Sequence, residues 1–196
     1  MTKIEICNRA LAVLGHDRMI EDFDGMTDGQ YNDQSTEALR CRQFFNAALE
    51  DCLSEHNWDF AAVERTMGAS ACDGRGWVRI PLIHDAVRIC TVVNECGKPL
   101  ETRRTRDCMY VRSDGRQIVI RYVSRDVEIS ELPHKFTEAL VYKLAALLAG
   151  PMFGDDRKTQ NFMTLAAQKL SDAVTKETDE TAFRGEWRNP FIAARR

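Results

Sequence analysis

Six carboxylates, Asp17, Glu21, Asp22, Asp24, Asp28 and Asp33, fall within seventeen residues near the N-terminus. Clustered acids of this kind are what a hard cation such as calcium requires, and Asp22-Phe-Asp24-Gly25 has the opening of a calcium loop. The remaining spacing fails. Counted from Asp22, the fifth, sixth and twelfth positions call for an oxygen donor, a glycine and a glutamate, and here they hold Met26, Thr27 and Asp33. Residues 16 to 34 therefore read as a solvated acidic loop rather than a metal site.

Cysteine and histidine chemistry fares no better. The seven cysteines (7, 41, 52, 72, 90, 96 and 108) are odd in number, form no Cys-x-x-Cys, and have no histidine at ligand spacing from any pair. They read as reduced core thiols. Histidines 16, 56, 84 and 134 stand apart, so a Ser-His-Asp or Cys-His site would have to be assembled by folding alone. No Gly-x-Ser-x-Gly, His-Glu-x-x-His, phosphate loop or dinucleotide fingerprint occurs. The sequence assigns no catalytic, cofactor-binding or metal residue.

Charge points away from a dedicated DNA-binding module. The net charge is -3, with 5 basic and 11 acidic residues over 1–57, 12 and 11 over 58–131, and 10 and 8 over 132–196. A protein that grips DNA by neutralising phosphates needs a basic surplus on one face. The densest basic stretch, Lys98, Arg103, Arg104 and Arg106, is interrupted by Glu101 and Asp107. It reads as a solvated strand edge, where charge discourages unwanted pairing, with a DNA-facing or partner-facing role as the alternative.

The C-terminal segment is the more unusual one. Residues 182–196 carry Phe183, Trp187, Pro190, Phe191 and Ile192 among Arg184, Arg188, Arg195 and Arg196. Aromatic and arginine side chains are enriched at interface hot spots, and a short terminal arm has no core of its own. These residues are the candidate assembly interface, with packing back on the same bundle as the alternative.

The elements that would position these groups follow from periodicity. Thr2 and Glu5 form a capping box ahead of Ile4, Cys7, Leu11 and Leu14, and Gly15 closes that helix. A second helix runs from about Ser35 to His56, with Leu39, Cys41, Phe45, Ala48, Leu49 and Cys52 on one face and His56 at its end. At Trp58 the period drops to two, and strands are expected at 77–82, 86–94, 108–112 and 117–124. Asp114-Gly115 predicts a hairpin turn, Asn94 to Gly97 another, and 68–76 a loop or projecting tip. Helical period returns at Pro133 (Phe136, Leu140, Leu144, Leu147) until Gly150-Pro151. Asp155 and Asp156 open a fourth helix with Phe162, Ala166, Leu170 and Ala173 as its stripe. Since no amphipathic helix buries its face alone, the expectation is an α+β chain. A discontinuous antiparallel helical bundle (1–57 with 132–181) carries an inserted antiparallel β-lobe (58–131) and an extended C-terminal arm (182–196). No run of about 18 apolar residues and no secretory leader is evident, so no membrane is expected and synthesis is expected in the cytoplasm.

Several segments in order resemble the tail tubular protein A family of phage head-to-tail adaptors. They are Ile6-Cys-Asn-Arg-Ala-Leu11 with Leu14-Gly15, Arg40-Cys-Arg42 with Phe44, Trp58-Asp-Phe-Ala61, and Leu132-Pro-His-Lys-Phe136 with Ala139-Leu140 and Leu144-Ala145. The resemblance implies a structural virion protein of the tail, without enzyme activity or cofactor. Such proteins form a ring, a dodecamer in the family, between the portal protein and the tail nozzle protein, leaving a channel through which DNA passes without specific binding. It also implies that the C-terminal segment helps bind the portal. The acidic loop is longer than the family's usual turn between helices one and two. An independent nucleic-acid-binding module and a Cys/His-dependent enzyme are the alternative functions.

Overall fold

The computed structural model describes residues 1–68, 72–73, 76–113, 117–154 and 156–186, with the side chains of 72–73 and 180–186 excepted. The fold is α+β, with two compact units: residues 1–52 with 128–196, and residues 53–127.

In the first unit, α1 (Lys3–Val13) begins at the capping box. Glu5 N–H donates to Thr2 Oγ1 at 3.2 Å while Thr2 N–H donates to the Glu5 carboxylate at 2.8 Å, so two amides that lack helical partners are satisfied. Gly15, at φ 76°, ends it in the left-handed region. Ile6, Cys7, Ala10 and Leu11 are fully buried. A short antiparallel hairpin, β1 (Met26–Thr27) and β2 (Gln30–Tyr31), follows within the acidic loop. Next comes α2 (Thr36–Ser54), whose first turn is capped by Ser35 Oγ accepting from Ala38 N–H. Its buried face is Ala38, Cys41, Phe45, Ala48, Leu49 and Cys52. Leu39, expected on that face, is 51% exposed. It precedes Cys41 by two positions, about 200° around the helix. His56 lies beyond the helix end, its ring edge-on to Trp58.

The central element is α3 (His134–Phe153), buried over most of its circumference through Phe136, Ala139, Leu140, Leu144, Leu148 and their neighbours. By length and composition this helix could cross a membrane. Here α1 and α4 (Asp156–Glu186) pack on it, which accounts for an apolar surface all round. The expected stop at Gly150-Pro151 is passed: α3 continues through Pro151 to Phe153, and Gly154, at φ 62°, is the cap, its N–H donating to the Gly150 carbonyl. A proline in the last turn loses one helical hydrogen bond but leaves little helix beyond to break. The Lys169–Glu138 ion pair at 2.7 Å sets α4 antiparallel to α3, and by that register Ala173 faces the start of α3. Ala173 is the last buried residue described on α4. The helix carries on to Glu186, so residues 182–186, expected in the extended arm, have helical backbone.

The second unit holds β3 (Ala62–Gly68), β4 (Cys72–Asp73), β5 (Trp77–Pro81), β6 (Ala86–Asn94), β7 (Thr102–Arg104), β8 (Cys108–Arg112) and β9 (Gln117–Ser124). They form two antiparallel sheets, ordered β3-β9-β6 and β4-β5-β8-β7. Val78, Ile80, Val92, Met109, Val111, Ile118, Ile120 and Tyr122 make one core. The hairpin expected at Asp114-Gly115 does not pair its flanking strands. β8 lies between β5 and β7 while β9 lies between β3 and β6, so the connection crosses from one sheet to the other. Both strands alternate toward the core, and local pattern alone cannot tell a hairpin from a sheet change. The turn residues 114–116 are outside the described set. The turn at Asn94 to Gly97 is present: Asn94 Oδ1 accepts from the amides of Cys96 and Lys98, and Gly97 has φ 76°.

Candidate assembly surfaces

The acidic loop is built, not slack. Asn8 on α1 reads Ile20 twice, accepting from its N–H at 2.8 Å and donating to its carbonyl at 3.1 Å. Arg42 on α2 donates to the carbonyls of Phe23 at 2.7 Å, Asp33 at 2.6 Å and Asp22 at 3.3 Å, and its guanidinium lies 4.1 Å from the Tyr31 ring centroid. A single planar fork thus ties both ends of the loop to one helix. Asn8 and Arg42 are polar members of the segments quoted above, and both serve this loop.

The carboxylates serve the backbone. Asp22 accepts from Gly25 N–H at 2.8 Å and from Asn32 Nδ2 at 2.9 Å, and these bonds, led by that from Asn32, hold its carboxyl below the usual range. A Cβ on Gly25 would collide with that carboxylate, so the close approach needs glycine. At Asp33 burial opposes ionisation, but hydrogen bonds from Ser35, from Glu21 N–H and from the loop backbone outweigh it and bring the pKa to about 2. Asp28 and Gly29, at φ 51° and 78°, make the left-handed pair of a tight hairpin turn. The oxygens of Asp22 and Asp33 are thus engaged by the loop's own donors, and Asp24 pairs with Lys3 at 2.9 Å. Among the described residues no group of three or more His, Cys, Asp or Glu could hold a metal ion. The loop presents Met19, Met26 and Tyr31, which are 60%, 56% and 41% exposed.

Beside it, Glu37 on α2 is 8% exposed and faces His16 Nε2 at 3.5 Å and Arg18 Nε at 3.9 Å. The His16 ring packs edge-on to Phe153. Cys7 and Cys41 meet between α1 and α2; their mutual hydrogen bond, followed by burial, pushes the Cys7 thiol far up, which makes it unreactive. Of the described cysteines, 7, 41, 52 and 108 are buried, Cys90 is half-buried and Cys96 is exposed in a turn, where the expectation of core thiols fails. The Cys108 thiol is pulled down by Thr105, 3.2 Å away, with Arg79 and Tyr110 acting in the same direction. No sequence signal announced that cluster.

Arg103, Arg104 and Arg106 are exposed, and Thr102–Arg104 is the edge strand β7, as the sequence reading had it. In the candidate C-terminal interface, Phe183 and Arg184 have helical backbone on α4. Their side chains, and Trp187, Arg188, Pro190, Phe191, Ile192, Arg195 and Arg196, lie outside the described residues. No family model and no curated protein matches the sequence.

Proposed function

We propose that this chain is a structural subunit of a phage head-to-tail adaptor, assembling as a ring between portal and tail nozzle. The observation that carries the reading is where the resembling residues stand. Ile6, Cys7, Ala10, Leu11, Phe136, Ala139, Leu140, Leu144 and Ala145 are buried in the helical unit, and Asn8 and Arg42 brace its loop. The resemblance therefore rests on framework positions, which supports similarity of architecture and of the role that architecture serves. In this reading the work is mechanical, and no side chain needs to react. DNA slides through the channel, which favours a neutral or acidic wall because each phosphate contact adds salt-sensitive affinity. The acidic excess of residues 1–57 is a source for such a wall.

The C-terminal segment is the proposed assembly arm, carried on the end of α4, with Trp187 and Phe191 as anchors in a neighbouring subunit or the portal. Native mass measurement, alone and with the portal protein of the same phage, tests the reading. Twelve copies of 22.3 kDa give about 270 kDa, and a particle of that order, alone or on the portal, is the expected result. A chain that stays monomeric and ignores the portal overturns it.

A further inference from the structure

Within the β unit, β6 and β7 are each the last strand of their sheet, and the stretch that leads into β7 meets β6 near its end. There Val93 bridges Pro99 and Leu100 N–H donates to the Val92 carbonyl at 2.9 Å. Away from that pinch the two edges part around a groove of about 600 Å³. Ile89, Val92, Leu100 and Met109 line it, with Arg88 and Arg104, both exposed, beside them. Arg88 also donates to the Ser54 carbonyl at 2.8 Å, which fixes its position. A smaller, more enclosed pocket lined by Ile83, Ala86 and Met109 adjoins it and continues the apolar floor. Against β9 on its other side, β6 shifts register between Ala86 and Arg88 and between Ile89 and Thr91.

We propose that this groove receives one extended, acidic segment of a partner protein, added as a strand between β6 and β7. Backbone groups on two facing strand edges supply the hydrogen bonds, the apolar floor takes alternate side chains, and Arg88 and Arg104 select carboxylates on the others. One added strand would join the two sheets into a continuous one. A polyanion such as DNA satisfies the arginines but neither the strand edges nor the apolar floor, and a basic segment is repelled at the rim. The proposal goes beyond the adaptor reading and does not depend on it.

Cys90 lines the groove and is the reporter. The probe is an eight-residue peptide alternating glutamate with valine and isoleucine, and the readout is the alkylation rate of Cys90 located by peptide mapping. Three comparisons accompany it: the same peptide N-methylated on alternate amides, its lysine counterpart, and a single-stranded oligothymidylate. At ten times its dissociation constant the acidic peptide should slow Cys90 alkylation about tenfold while leaving exposed Cys96 unaffected. The other three should have no effect, and R104E should transfer protection to the lysine peptide. Absence of protection by the acidic peptide, or equal protection by the N-methylated peptide or the oligonucleotide, overturns the proposal. Protection that rises with protein concentration without peptide also overturns it, in favour of a second copy. Particle mass in the same samples keeps this result separate from the ring question.

Discussion

Arg42 is the residue on which the acidic loop depends most, since three carbonyls from two stretches of chain converge on one guanidinium. Arg42→Ala should cost about 1.5 to 3 kcal/mol, the range for hydrogen bonds to a charged group, read as a lower denaturation midpoint with faster amide exchange across residues 20–34. Arg42→Lys should recover little, because an ammonium cannot hold three in-plane acceptors. Asp33 gives a pH test. Its folded pKa of about 2 is below the ordinary carboxyl value of 3.8, so its contribution is complete above 3.8 and is lost as pH falls towards 2. Urea midpoints measured across that window should fall more steeply for the wild type than for Asp33→Asn; parallel curves would contradict this. In the β unit the Tyr122 hydroxyl donates to Asp85 at 2.8 Å, and burial followed by this bond raises the tyrosine pKa. Tyr122→Phe should cost about 1 to 3 kcal/mol by leaving the carboxylate short of a donor. Little of this was legible beforehand. Composition showed that the loop was acidic and the calcium spacing absent, but which carboxylate serves which amide depends on Asn8 and Arg42 arriving from two helices.

Helices were the legible elements. The capping box at Thr2 and the heptad-like stripes of α1 and α3 are local signals that packing reinforces, and the structure keeps them. Helix ends were less so: α3 runs through Pro151 to a left-handed cap at Gly154, and the helical backbone of α4 continues beyond 181. Among the strands, β5, β8 and β9 alternate, whereas β6 sets apolar pairs between Arg88, Thr91 and Asn94, Ala62–Gly68 carries Glu64, Arg65 and Thr66 in a row, and Thr102–Arg104 is too short to show a period. Partnering was the hidden part, since a change of sheet at 114–116 has the same residues as a hairpin. At this scale Leu144→Ala, at a fully buried position on α3, should cost about 2 to 5 kcal/mol, against less than about 0.5 for Leu165→Ala, which is 38% exposed on α4. Chemical denaturation of the two variants checks the contrast.

For the whole molecule, truncation after Glu186 keeps the described length of α4 and removes the proposed anchors. The monomer should melt almost unchanged while ring formation or portal attachment is lost, as expected when aromatic hot spots worth about 2 to 4 kcal/mol each are deleted. A truncated chain that melts early would place those residues in its own bundle. The seating of α1 against α3 has a consequence for synthesis. Residues 53–127 form a unit from one unbroken stretch and can assemble its sheets soon after leaving the ribosome, whereas α1 waits for α3, more than a hundred residues later. At about 5 to 20 residues per second that wait is roughly 5 to 25 s, during which Ile6, Ala10 and Leu11 have no α3 to cover them. The interval is an opening for chaperones, and arrested nascent chains ending near residue 130 should bind a holdase that chains released after residue 186 do not.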